Sequence, residues 1–171
     1  MSTDTSTPSG ASEAYAQLHD AALKFINAQA QDPAHPKRMN FEWIESLVAP
    51  DFQHSWGHNY AVSKSPPIQG RHSFQSFTQH LETMLPNLES WETTVTGIAV
   101  DEIRKKVVLR ITYLMRVKGT GTAEDRQVEN DLVWSLEMNE EGKIRKSTEF
   151  IDAIAAGRIK AILEGQRGKV G

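Results

Sequence analysis

Apolar residues recur every three or four positions through the first half of the chain and every second position through most of the rest, so helix gives way to strand near Pro86. Tyr15, Leu18, Ala22, Phe25 and Ile26 share one helical face, and Ser12 stands where an N-cap belongs. The two prolines of "QDPAHPKRMN" end that helix. Phe41, Ile44, Leu47 and Val48 then predict a short second one that ends near Pro50. After a loop and a turn, Phe74, Phe77, Leu81, Met84 and Leu85 form one stripe that Pro86 stops, the clearest helix of the chain.

Beyond Pro86 the pattern alternates. Trp91, Thr93 and Val95 point one way, Gly97 shifts the phase as a bulge does, and Ile98 and Val100 continue on the new phase. From Val107 to Val117 the odd positions are apolar or aromatic, including Tyr113, while Arg110, Thr112, Arg116 and Lys118 take the other side. Val128, Asn130, Leu132, Trp134, Leu136 and Met138 likewise face Glu129, Asp131, Ser135 and Glu137. "NEEGK" turns this strand into a last one, and a short amphipathic helix with Ile154, Ile159 and Ile162 starts near Ala153. Helices first and an antiparallel meander afterwards give an α+β class, with the helices packed on one face of a curved sheet that leaves a hollow. Residues 1–13 are expected to be a disordered tail, 14–165 a single domain and 166–171 a flexible C-terminus.

Composition narrows the partners. The 171 residues carry 19 basic and 22 acidic side chains, which gives no electrostatic case for nucleic acid or an anionic membrane and favours a small, neutral ligand. The absence of cysteine removes disulfides, thiol nucleophiles and thiolate metal sites. The opening "MSTDTSTPSGASEA" has neither the apolar stretch nor the basic flank of a signal peptide or anchor, so the expected location is cytoplasmic.

Three segments, "DFQHSWG", "PPIQGRHSFQSF" and "VENDLVWSLEMNEEGKIRKSTEFID", resemble in their order the SnoaL-like polyketide cyclase family of the nuclear-transport-factor-two-like superfamily. The Asn-acidic step into an aromatic strand and the Glu-Phe-Ile-Asp ending are similar to small fungal isomerases and cyclases of terpenoid and alkaloid pathways. The resemblance spans about Tyr15 to Ala155. It implies a cone-shaped α+β barrel, a homodimer, a small hydrophobic metabolite in the pocket, proton-transfer chemistry, and no metal or organic cofactor. The outer strand face with Leu114 and Val133 suits dimer contact.

The candidate chemistry follows from these two readings. Glu149 leads, because a carboxyl in an apolar cone has its charged form disfavoured and its proton affinity raised toward neutrality. Alternation leaves its face open, and comparison with the isomerase relatives favours Ser147, Glu149 and Ile151 toward the pocket. The bland alternative is an exposed glutamate or one paired with Arg110. Asn130 is expected to polarise a substrate oxygen, against the alternative of a buried amide bonded to backbone. His54 is a candidate acid or base that titrates in the useful range, or else a core histidine. Trp56, Tyr113, Trp134, Phe74 and Phe77 are candidate pocket residues, the two phenylalanines equally well core. Asp152 joins the site if the strand ends before it; as a cap for the last helix it would not. Trp56 and Trp134 stand where the ketosteroid isomerases of this superfamily carry acidic groups, so steroid isomerisation is disfavoured. A metal on His54 and His58 fails on reach, since those residues lie about 13 Å apart in an extended strand. His58, His72 and His80 are assigned to loop and helix surfaces. The sequence therefore predicts an isomerase, cyclase or dehydratase in which Glu149 and His54 share proton transfer, with a non-catalytic binding or dimerisation module as the alternative.

Overall fold

The computed structural model describes residues 5–167. Parts of the tail expected over 1–13 and of the C-terminus expected over 166–171 lie outside the described residues. Residues 5–12 run as coil and turn, with Thr7 Oγ1 3.5 Å from His19 Nδ1.

Most of the helices start where a side chain satisfies a free N–H group. Ser12 caps α1 (Glu13–Asn27) by accepting from the Tyr15 N–H, and Asn40 caps α2 (Phe41–Leu47) by accepting from the Trp43 N–H. The chain then enters β1 (Val48–Gly57) directly, so Pro50, expected to mark the end of the second helix, lies within a strand. That strand is a sheet edge, where a residue without an N–H is tolerated. A short α3 (Asn59–Ser63) and a 3-10 turn fill the expected loop. Ser73 caps α4 (Phe74–Met84), and Pro86 falls in the 3-10 turn that ends it. The remaining strands are β2 (Leu88–Asp101), β3 (Lys106–Val117), β4 (Gln127–Met138) and β5 (Ile144–Phe150). α5 (Ala153–Arg167) runs for 15 residues, longer than the short helix expected.

The five strands are ordered β1-β5-β4-β3-β2 in one sheet that does not close, with β1 and β2 at its edges. Three of the pairings are antiparallel, as the alternating second half demands. β1 comes from the helical half and pairs parallel with β5, so the sheet is mixed. The register of β2 on β3 shifts between Val95 and Gly97, where the change of phase predicts a bulge. Gly142, with φ +74, makes the tight turn between β4 and β5. At Gly57 a Cβ would stand 2.4 Å from the Phe150 ring, so only glycine lets the ends of β1 and β5 meet there.

The apolar faces of the strands meet the helices in a continuous core. Phe25 and Ile26 of α1, Ile44 of α2, Phe77 of α4, Ile111 of β3 and Leu136 of β4 are all fully buried. Trp134 is 1% exposed and stands edge-on to Phe25 at 5.9 Å between ring centroids. No helix among the described residues is long and apolar enough to cross a membrane.

Candidate active site

Between the concave face of the sheet and α3, α4 and α5 lies a cavity of about 650 Å³. Its walls are chiefly apolar and aromatic, with Trp56, Trp91, Tyr113 and Trp134 from four strands and Leu81, Met84, Ile159 and Leu163 from the helices. Such a mostly apolar, concave space with a few inward polar groups is the ordinary form of a small-molecule site. The polar groups on it include Gln29, Tyr60, Lys64, Ser65, His80, Asn130, Glu149 and Lys160, beside the Tyr113 hydroxyl.

Glu149 is placed by register. It pairs with Trp56 of β1 on one side and Trp134 of β4 on the other, so a carboxyl stands between two indoles in a row across three strands. Trp56 Nε1 donates a hydrogen bond to Glu149 Oε2 at 3.0 Å. The residue keeps some accessible surface because it lines the cavity, but the carboxyl is removed from bulk water. Burial pushes Glu149 up to about 7, and the indole hydrogen bond, which favours the charged form, holds it from going further. The carboxyl is thus half protonated near neutrality. Ser147 and Ile151 share its side: Ser147 is buried, and Ile151 lines the cavity.

Tyr113 and Asn130 are register partners on β3 and β4, and both line the cavity. The Tyr113 hydroxyl accepts from Trp134 Nε1 at 3.1 Å. Burial first, and then the Glu149 carboxylate, push its acidity constant well up, so this phenol stays protonated and has a hydrogen to donate. Asn130 is buried, and its side-chain oxygen has no hydrogen-bond partner. An unpaired amide oxygen on a cavity wall costs stability unless a ligand or water meets it. Arg110, weighed above as a partner for Glu149, instead forms a salt bridge with Asp131 on the outer face.

Three expected site residues are placed off the wall. His54 is 0% exposed and does not line the cavity. Its ring sits behind Trp56, Phe77 and Trp134, at 4.3, 4.5 and 5.4 Å between centroids, and its Nδ1 bonds the Ser147 hydroxyl at 2.7 Å. Burial holds its acidity constant well below the usual 6.5, so it is a neutral core imidazole without access to a substrate. Phe74 packs edge-on to Phe52 at 6.1 Å, one helical turn from the wall that Phe77 occupies. Asp152 caps α5 by accepting from the N–H groups of Ile154 and Ala155 at 2.8 and 3.1 Å. The strand does end before Asp152, and its carboxylate is used by the helix.

The sequence reading missed His80 on this wall, and with it Lys64, Lys160, Tyr60 and Gln29. His80 had a visible signal: it lies three residues after Phe77 and four before Met84, on the stripe that faces the sheet. The lysines had none, since their place depends on where α3 and α5 dock. Among the described residues no group of three or more His, Asp or Glu side chains could hold a metal ion.

A sheet lining such a cavity, with helices over one face, is the arrangement of the nuclear-transport-factor-two-like fold. No protein-family model matches the sequence, and no curated protein sequence matches it. Solved structures match the fold. BvnE pinacolase from Penicillium brevicompactum superposes with a TM-score of 0.69 at 14% identity, over 87% of this chain and 95% of that one. PrhC from Penicillium brasilianum gives 0.70 at 15% identity, over 88% and 90%. A protein described as a SnoaL-like polyketide cyclase from Jannaschia sp. CCS1 gives 0.65 at 12% identity, over 88% and 95%.

Proposed function

We propose that this protein is an isomerase, cyclase or dehydratase of secondary metabolism that moves a proton on a small hydrophobic metabolite, with Glu149 as the group that carries it. The observation that supports this most is the Glu149 carboxyl itself, set in an apolar cavity, bonded by an indole N–H and raised to about 7. A general acid or base works best when its proton affinity lies near the working pH, and here the fold sets it there. Asn130 and Tyr113 offer hydrogen bonds to a carbonyl or enolate oxygen of the substrate, where charge develops as the proton leaves carbon. Proton transfer of this kind calls for no redox or group-transfer cofactor.

The structural neighbours include a pinacolase and a polyketide cyclase, names that fit an enzyme of small-molecule chemistry on this fold. A module that only holds partners together calls for a collapsed cavity or a Glu149 locked in an ion pair. The cavity is open, and the group that touches the carboxyl is a neutral indole.

The test replaces the native gene in its host with Glu149→Gln, beside a full deletion and the unaltered strain. The expected result is that the substituted strain reproduces the deletion, with the same precursor accumulating while folded protein is still present. A Glu149→Gln strain with the unaltered metabolite profile, against a deletion that has a phenotype, would remove Glu149 from the chemistry and the proposal with it.

A further inference from the structure

α4 presents Phe77, His80, Leu81 and Met84 to the cavity, and of these His80 is the one side chain able to carry a proton. Its ring meets the Trp56 ring at 4.9 Å between centroids with an interplanar angle of 60°. The same indole donates its N–H to Glu149 at 3.0 Å. An imidazole from a helix and a carboxyl from the sheet therefore touch one tryptophan and open into one cavity. The geometry points to His80 as the second proton-transfer group of this site, acting on the substrate together with Glu149. This rests on the acid–base reading given above.

The surroundings of His80 suit the role of a neutral acceptor. Tyr60 of α3, Lys64 just after it, Tyr113 of β3, Glu149 of β5 and Lys160 of α5 line the same cavity, His72 lies just ahead of α4, and His54 of β1 stands behind the wall. Burial and the nearby His72 lower the acidity constant of His80 from its usual 6.5. At neutral pH the imidazole is uncharged and holds a lone pair for a proton, while a share of the Glu149 carboxyls still has one to give. His54 meets one condition without the other, since it is neutral but has no face on the cavity.

The step balances within the site. His80 takes a proton from a carbon beside a carbonyl or alkene of the substrate, and the electron pair of that C–H bond moves into a new carbon–carbon double bond. Protonated Glu149 delivers its proton to the atom at the far end of the shifted π system. The substrate has lost one proton and gained one. His80 is left as imidazolium and Glu149 as carboxylate, and exchange with water resets both once the product leaves. This division of labour requires His80 neutral and Glu149 protonated, so the rate falls toward acid as His80 charges and toward alkali as Glu149 ionises.

The experiment uses the purified full chain and the precursor isolated from the Glu149→Gln strain, with kcat, KM and the pH profile of wild type, Glu149→Gln and His80→Gln. His80→Gln is expected to lose about 100-fold or more in kcat with KM nearly unchanged. It is also expected to lose the acidic limb of the profile while keeping the alkaline one. A His80→Gln enzyme that keeps the wild-type acidic limb, whatever its kcat, makes His80 a packing residue and overturns the inference. In that case an inactive Glu149→Gln leaves the acid–base reading standing, whereas a fully active one takes that reading down too. Should His80→Gln not fold, the imidazole resonance of His80 is titrated in the wild type. A midpoint below 6.5 that moves when Glu149 is replaced by Gln supports the pair, and a midpoint indifferent to that change refutes it.

Discussion

Glu149 and Asp131 carry the same functional group on neighbouring strands, and the fold drives them in opposite directions. Glu149 faces inward, where burial raises it to about 7 and a neutral indole is its hydrogen-bond partner. Asp131 faces outward beside Arg110, whose guanidinium hydrogen-bonds the carboxylate and holds it below the ordinary aspartate range. The adjacent residue Asn130 sits on the inner side with an unpaired oxygen. One step along β4 thus separates an unpaired amide on the cavity wall from a carboxylate fixed as an anion. The sheet has a face turned to the cavity and one turned to solvent, divided by the period of two.

The contrast breaks hardest at Glu149. Glu149→Gln keeps the shape and removes the proton, so turnover is expected to fall by about 100- to 10,000-fold, read as product formed from the accumulated precursor. The same substitution has a second, opposite effect on stability. The folded state holds a proton on Glu149 up to about pH 7, whereas the unfolded chain releases it near the ordinary 4.5. Between those values the folded form binds more protons, so wild-type stability declines as pH rises through this window and levels off above it. The rise from 4.5 to about 7 corresponds to on the order of 3 kcal/mol. Glu149→Gln is expected to recover a good part of this above pH 7 and nothing below the unfolded value. Urea melts of both proteins at acid and alkaline pH check the sign. A variant that is less active yet more stable at alkaline pH is the mark of a strained functional group.

A smaller effect is expected at Trp56. Trp56→Phe removes the N–H that favours the carboxylate, so the acidity constant of Glu149 moves further up and the alkaline limb of the rate profile moves with it. The lost packing costs about 1–3 kcal/mol. If the limb stays in place while stability drops, the indole serves the core and does not tune the carboxyl.

How much of this was legible in the sequence depends on whether local period or distant register decided it. The faces of β3 and β4, the bulge at Gly97 and the cap Ser12 follow from spacing and short-range chemistry, and the structure has them as expected. The meeting of Trp56 with Glu149 was not legible, because it needs β1 to cross from the helical half and pair parallel with β5. His54 and Trp56 share a phase on β1, yet one lies behind the wall and the other on it, a difference of depth that no period encodes. Asp152 shows the reverse: its role turns on where one strand stops, and the cap reading needed nothing beyond the helix start that the sequence already places near Ala153.

The least effect is expected on the outer face, and it is the control that gives the others their meaning. Arg110 and Asp131 form a salt bridge across β3 and β4 with both side chains open to water. Exposed pairs of this kind contribute little, since solvent screens the attraction and two side chains must be held in place. Asp131→Asn is therefore expected to leave turnover of the precursor and its pH profile unchanged, with a melting curve close to that of the wild type. Asp131 stands one residue from Asn130 and on the strand next to that of Glu149, so it is close to the cavity wall along the chain while facing away from it. If its neutralisation altered the alkaline limb, charge on the outer face would reach the carboxyl through the sheet. The separation of the two faces would then be electrostatically incomplete.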